Sequence, residues 1–257
     1  MSLSGWGNYP KLDSDTFEYA QDESLKAYIA EQKDLIAYGN GRSYGDSALS
    51  PHIVEIRPHH YFLDFDASSG VLCVQAGVLL AEILESFVPR GWFLKITPGT
   101  KFVTIGGAIA SDVHGKNHHN AGCFSEAVIN LDLMLPDGQI ISCSKTQNPE
   151  LFRATCGGMG LTGIILSAQI ALKKINSNQI IQTTVKTRNL EETFSAFSQY
   201  GNESYSVAWI DCLARGDSMG RSILMTGDFA DDGKLDYAHK TRLNIPFYFP
   251  AWLLNRF

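Results

Sequence analysis

Three histidines, a lysine, an aspartate and an asparagine crowd into Ser111-Asp112-Val113-His114-Gly115-Lys116-Asn117-His118-His119. Imidazoles take up and release protons near neutral pH, and an ammonium group holds an anion or a hydroxyl in place. Small residues, Gly106-Gly107-Ala108-Ile109-Ala110, lead into this cluster, so an ordered element is expected to end where the polar side chains begin. Polar groups at such an edge must satisfy one another or a ligand, because each one buried unpaired costs about 1–3 kcal/mol. The spacing of His114 and His118 would put both on one helix face, as in a zinc pair. Gly115, however, stands where the glutamate of His-Glu-x-x-His belongs, and with Asn117 it weakens any helix. No metal site is expected. His118 and His119 read as structural histidines, and His114 as the functional one, with Lys116 a fixed positive charge beside it.

Two glycine-bearing segments precede the cluster. Gly39-Asn40-Gly41-Arg42-Ser43-Tyr44-Gly45-Asp46 matches Gly-x-Gly-x-x-x-Gly rather than the dinucleotide fingerprint Gly-x-Gly-x-x-Gly. Pro51 and a strand at Ile53–Ile56 follow where a Rossmann helix would start, which disfavours that fold. Glycine frees consecutive backbone N–H groups, and Arg42 and Ser43 suit a pyrophosphate; taken alone, the loop reads equally well as an ordinary tight turn. The second segment runs from Thr97-Pro98-Gly99-Thr100 to Thr104-Ile105-Gly106-Gly107. It permits close approach of a flat ligand to a helix start, or close helix–sheet packing.

Hydrophobic periodicity predicts the elements that must hold these segments. Helices are expected over Asp22–Gln32, Leu79–Phe87, with Glu82 and Glu85 on its polar face, Pro149–Thr155 and Leu190–Tyr200. Strands are expected over Leu35–Tyr38, Ile53–Ile56, Val71–Gln75, Gly163–Leu172, Ile180–Lys186, Tyr205–Asp211 and Arg221–Thr226. Pro136-Asp137-Gly138 between apolar runs predicts a β-hairpin joining Val128–Leu135 to Gln139–Ser144. Arg215-Gly216-Asp217-Ser218 reads as a loop between strands. A polar stretch at Lys173–Asn178 places a domain boundary near residue 175, dividing the chain into 1–175 and 176–257. The final aromatic segment, Ile245–Phe257, reads as unfinished.

With 257 residues, 44% hydrophobic and 19% charged, the chain can bury a sizeable core. Its net charge of −6, without a basic block, argues against a nucleic-acid partner. No apolar run is long enough to span a membrane, and Met1–Lys11 lacks the pattern of a secretory signal. Five scattered cysteines, Cys73, Cys123, Cys143, Cys156 and Cys212, suit a reducing compartment and, for the most part, buried free thiols.

The ordered set of motifs resembles the vanillyl-alcohol-oxidase (PCMH-type) FAD-binding superfamily, most nearly the bacterial decaprenylphosphoryl-ribose oxidase group. Ser4-Gly5-Trp6-Gly7, Gly41-Arg42-Ser43-Tyr44-Gly45-Asp46, Pro98-Gly99-Thr100, Gly106-Gly107-Ala108-Ile109-Ala110 and, above all, Asp112 to His119 carry the resemblance. Glu150-Leu151-Phe152-Arg153-Ala154-Thr155, Gly157-Gly158 and Gly160-Leu161-Thr162-Gly163-Ile164-Ile165 continue it, and Trp209-Ile210-Asp211 and Gly220-Arg221 extend it loosely. The resemblance implies an α+β fold: a PCMH-type FAD-binding domain of two α/β subdomains, followed by the start of an antiparallel-sheet substrate domain. It implies that Gly39 to Asp46 wrap the FAD pyrophosphate. Gly99, Thr100, Thr104, Ile105, Gly106 and Gly107 would line the cofactor, with Ser111, Asp112, Val113, His114, Gly115 and Asn117, while Gly163 and Ile165 would meet it from a strand.

Many relatives bond the flavin covalently through a histidine where this chain has Arg42, and some add a cysteine near Thr100; both are absent here, which implies non-covalent FAD. His114, Lys116 and Tyr44 would line the substrate side as the catalytic set. The substrate implied is a small-molecule or lipid-linked sugar whose secondary alcohol is oxidised, with an aldonolactone or alditol as the alternative. A partner reductase in a two-enzyme epimerisation and a cytoplasmic or membrane-peripheral location follow from the same likeness. Family members run longer and return a C-terminal segment carrying an active-site lysine, so a truncated chain, even a non-catalytic flavin-binding fragment, is the other expectation.

Overall fold

The computed structural model describes residues 1–237; the aromatic segment at 245–257 lies outside the described residues. A short hairpin opens the chain, β1 (Ser2–Ser4) against β2 (Lys11–Asp13). Then come β3 (Asp15–Glu18), α1 (Asp22–Glu31), β4 (Leu35–Tyr38) and β5 (His52–Glu55), the strands forming a parallel sheet with β5 in the middle. Parallel neighbours cannot be joined by a tight hairpin. One crossover contains α1, whose buried Leu25 and Ile29 lie four residues apart on one face. The other is the glycine-rich stretch 39–51, held at both ends by paired strands.

A six-stranded antiparallel sheet forms the centre. Its elements in chain order are β6 (Phe62–Asp66), β7 (Val71–Gln75), α2 (Leu80–Phe87), β8 (Trp92–Leu94), α3 (Ile105–Ala110), α4 (His118–Ala121), β9 (Val128–Met134), β10 (Ile140–Ser144), α5 (Pro149–Thr155) and β11 (Ile164–Lys174). The strand order is β10-β9-β11-β7-β6, and β8 joins the far end of β11. Alternate residues of β11 (Ile164, Leu166, Ala168, Ile170, Leu172) are buried, as period-two patterning requires. They share one core with Leu80, Ile83 and Phe87 of α2 and with Ile105 and Ile109 of α3. The Asp-Gly hairpin forms as read, with Gly138 at φ 80° and Met134 opposite Ile140.

Beyond residue 175 a separate three-stranded sheet follows: β12 (Ile180–Thr187), α6 (Leu190–Tyr200), β13 (Tyr205–Ile210) and β14 (Ser222–Phe229), in the order β12-β14-β13. Asn189 caps α6 by accepting from the Glu192 N–H at 2.9 Å. The Arg215–Ser218 stretch is the β13–β14 loop, as expected. The whole is α+β.

Six elements went unread in the sequence: β1, β2, β3, β6, β8 and the one-turn helix α4. β6 carries exposed Phe62 and Leu63 and a register shift between Phe62 and Asp64, so its pattern does not alternate. Phe62 and Phe65 instead meet Phe87 of α2, at ring separations of 5.4 and 4.7 Å. The strands β1, β2 and β8 have three residues each, too few to show a period. The cysteines also depart in part from expectation: Cys143 is buried, Cys73, Cys123 and Cys156 are partly so, and Cys212 is exposed.

Glu82 joins three pieces of this frame. It accepts from the Leu79 N–H at 2.7 Å, at the start of α2, and pairs with Arg57 at 3.0 Å. Burial alone would raise its pKa, but the Arg57 hydrogen bond and the Leu79 amide override it and hold the carboxyl below the ordinary glutamate range. Such a group stabilises the fold above its unfolded pKa and loses that contribution as pH falls through the lower folded value. Glu82→Ala is expected to lower stability by about 1 kcal/mol at pH 7, with the difference from wild type vanishing below the folded pKa. Urea titrations at several pH values measure both.

Candidate cofactor and substrate site

The two glycine segments meet edge to edge. Gly39 follows β4 directly, and a Cβ placed on it would lie 2.6 Å from Thr104 Oγ1. Asn40 Nδ2 donates to the Phe102 carbonyl at 2.8 Å. Thr104 is buried, and its Oγ1 accepts from the Gly107 N–H at 3.1 Å, capping α3. The stretch leading into α3 is pinned from the other side: Leu80 donates to Val103 at 3.0 Å, Ile105 to Val78 at 2.8 Å and Gly106 to Ala76 at 2.8 Å. The first loop therefore lies against a segment that the central core holds rigid.

The first loop has its backbone donors unspent. Among the described residues, no main-chain amide of residues 39–46 donates to another protein group. Gly41 and Gly45 both sit at φ +60°, a left-handed conformation that turns successive N–H groups to one side. Gly45 and Gly99 have nothing within 4 Å of where a Cβ would stand. Such bare amides are the donor set that a pyrophosphate accepts from, so these residues fit FAD. The β1–β2 turn clasps the loop from outside: the Trp6 N–H donates to the Ser43 carbonyl at 2.8 Å, and Tyr38 Oη donates to the Ser4 carbonyl at 2.9 Å.

α3 leads into the polar cluster. Asp112, at φ 39°, turns the chain and accepts from the Ser125 amide at 2.8 Å. Val113 and Phe124 bond to the Ala108 and Val113 carbonyls at 3.1 and 2.8 Å. A side chain at position 115 would collide with the Thr97 carbonyl, so only glycine lets the cluster lie beside the Gly99 segment. Asn117 is buried; its Nδ2 donates to the Lys95 carbonyl at 2.9 Å, while its Oδ1 has no partner. His114, Lys116, His118 and His119 remain exposed, and Ser111 with them. His114 and His118 face each other at 5.8 Å between rings. His119 Nε2 and Asn120 Nδ2 both reach the Glu203 carbonyl at 3.2 Å, and the Ser206 N–H donates to the Lys116 carbonyl at 2.8 Å. The second sheet is thereby tied to the back of the cluster.

The remaining predicted residues divide. Arg42 and Asp46 lie exposed on the first loop. Tyr44 is 78% exposed, and its ring contact is with Trp6, at 6.0 Å, not with His114 or Lys116. Gly163, at φ 146°, fits against the Met134 carbonyl, and Ile165 is buried at the start of β11. Cys156 is pushed up to about 12 by burial and then by Asp112, so it stays a protonated thiol. Among the described residues, no three His, Cys, Asp or Glu side chains converge on a metal position. The unpaired Asn117 Oδ1 and the Trp6 clasp were not legible as site features, since both depend on contacts distant in sequence.

Comparison with known proteins defines the class. Residues 20–144 match the family described as FAD binding domain. The chain is 32% identical to decaprenylphosphoryl-beta-D-ribose oxidase of Mycolicibacterium smegmatis, across 99% of this chain and 60% of that protein. It is 25% identical to D-arabinono-1,4-lactone oxidase of Yarrowia lipolytica (60% of this chain, 31% of the relative) and 26% identical to L-gulonolactone oxidase of Mus musculus (63% and 36%). The chain thus spans 60% or less of the length of these relatives. It carries a PCMH-type FAD-binding domain, and the three relatives aligned with it are named as oxidases.

Gly39→Ala is expected to weaken FAD binding at least about tenfold with the circular dichroism spectrum intact, because the added methyl group forces the loop off Thr104. Gly45→Ala, in open space, meets only left-handed strain of about 1–2 kcal/mol and is expected to weaken it less. Flavin fluorescence titration of both variants decides; equal losses would disprove the contact as the cause.

Proposed function

We propose that this chain binds FAD reversibly and serves an oxidoreductase acting on the secondary alcohol of a sugar, with a polyprenyl-phosphate sugar as the favoured substrate. The observation that carries the reading is the amide-bare loop 39–46 set against Thr104, with exposed His114 and Lys116 at the far end of the same segment. The relative aligned over 99% of the chain is named for such a substrate. An aldonolactone or alditol is the second reading, supported by the lactone oxidases aligned over about 60% of the chain. In this reading residues 1–175 form the FAD-binding domain, and 176–257 begin the substrate domain.

The loop 39–46 would hold the pyrophosphate through main-chain N–H groups and Arg42, and Gly99, Thr100 and Thr104–Gly107 would line the ring. Ser111–Gly115, Asn117 and Ile165 would border the same site. Bound FAD supplies a two-electron acceptor for the hydride leaving the alcohol carbon. His114 takes the hydroxyl proton as that bond breaks. Lys116 holds the hydroxyl or a neighbouring phosphate, and Tyr44 with Trp6 forms an aromatic wall at the loop. With Arg42 at the position of the linking histidine, no side chain of the loop bonds the flavin covalently.

No helix among the described residues is long and apolar enough to cross a membrane. In this reading a lipid-linked substrate is met at the membrane surface on the cytoplasmic side. The ketone formed suits a partner reductase that returns it as the opposite epimer.

The purified chain is expected to be yellow, or to take up added FAD, and to release the flavin to the supernatant on acid precipitation. Anaerobic mixing with a polyprenyl-phosphate pentose should bleach it, and His114→Ala should slow bleaching by about 10²–10⁴-fold without loss of bound flavin. A chain that takes up no FAD would overturn the reading; bleaching by an aldonolactone alone would decide for the second one.

A further inference from the structure

Lys173, next to last in β11, sits in an unusual setting. Its ammonium lies 4.5 Å from the ring centre of Phe229, 4.7 Å from Tyr205 and 5.7 Å from Phe93, and it donates to Tyr205 Oη at 2.6 Å. These rings come from both sides of a seam: Phe93 from β8 of the central sheet, and Tyr205 and Phe229 from β13 and β14 of the second. Phe229 also packs edge-on against Phe93 and Tyr205, at 5.1 and 5.9 Å. A cation over aromatic faces is attracted by the ring quadrupole, and the attraction grows as water is excluded. The next residue after Tyr205 is Ser206, whose N–H holds the Lys116 carbonyl.

We propose that Lys173 is a positioning residue that seats the second sheet on the FAD-binding half and, through Tyr205 and Ser206, fixes the main chain at Lys116. The seating itself stands on the contacts above; only its consequence for turnover rests on the function proposed for the His114–Lys116 corner. The charged and titratable groups facing the cage are Tyr205 on β13 and Asp228 on β14, and Glu203 shares a hydrogen bond with Asp228. Burial pushes Lys173 down to about 8 against the pull of Asp228, so at neutral pH the enclosed ammonium persists. Burial likewise pushes Tyr205 up to about 12, so its hydroxyl stays neutral beside the cation. An apolar side chain of equal length would fill the same space without a donor for Tyr205, and that difference can be measured.

Amide hydrogen exchange at Ser206, followed by NMR in the flavin-free chain at pH 7, reads the seam without reference to activity. Lys173→Met and Tyr205→Phe are each expected to speed Ser206 exchange about fivefold while leaving the β9 and β11 amides unchanged. The double variant should be no faster than Lys173→Met alone, because that substitution already removes the bond to Tyr205. Single variants within twofold of wild type, or effects that multiply in the double variant, would overturn the proposal. If Lys173→Met loosens β9 and β11 as well, Tyr205→Phe, which keeps the ring, decides by the same criterion. Where the flavin chemistry holds, Lys173→Met should leave FAD affinity unchanged and raise KM more than it lowers kcat. Failure of that arm alone, with Ser206 loosened, would count against the function assigned to Lys116 and leave the seam intact.

Discussion

Gly39 and Thr104 lie so close that no side chain fits between them, and most of the site's geometry follows from that contact. Thr104 is both the wall that Gly39 meets and the cap of α3. The loop therefore cannot shift without disturbing the helix start, nor the helix without the loop. Close packing inside proteins leaves little slack for such adjustments. A flexible loop between two parallel strands becomes a fixed cradle because one end of it is pressed against a buried hydroxyl.

The loop also leaves its backbone donors to water. Backbone N–H groups in folded proteins are nearly always paired with protein or water. Residues 39–46 donate none of theirs to described protein groups, although glycine at φ +60° turns the chain there twice. The chain tolerates this because the loop stays open to solvent while its flanking strands are paired. Asn117 differs: its Oδ1 is buried and unpaired beside Gly115. An acceptor left unpaired in the interior costs about 1–3 kcal/mol, set here against the bond from Asn117 Nδ2 to the Lys95 carbonyl.

The second sheet contributes in another way. It meets the first half through hydrogen bonds from Ser206, His119 and Asn120 and through the aromatic cage around Lys173. Both kinds of contact fall behind the polar cluster, leaving His114 and Lys116 facing outward. Thus the cluster is supported on one side by the core under α3 and on the other by β13. A chemical group held from two sides loses little entropy when a substrate arrives.

Much of this architecture was legible in the residues themselves. Alternating apolar positions marked β11, the Asp-Gly turn marked the β9–β10 hairpin, and helical spacing marked α1, α2, α5 and α6, because each pattern arises from local backbone geometry. Glycines at 39, 41, 106 and 107 likewise announced places where the main chain is approached closely. What they could not say is what approaches: Thr104 meets Gly39 across 65 positions, Trp6 clasps Ser43, and Ser206 reaches Lys116. Strands of three residues, the irregular β6, the buried orphan on Asn117 and the cage around Lys173 were equally hidden. Which segments form elements, and which carry chemistry, follows from neighbours a few residues apart and could be read along the chain. Which of them meet follows from how whole sheets and helices pack across long stretches of chain, and that emerges only in the folded molecule.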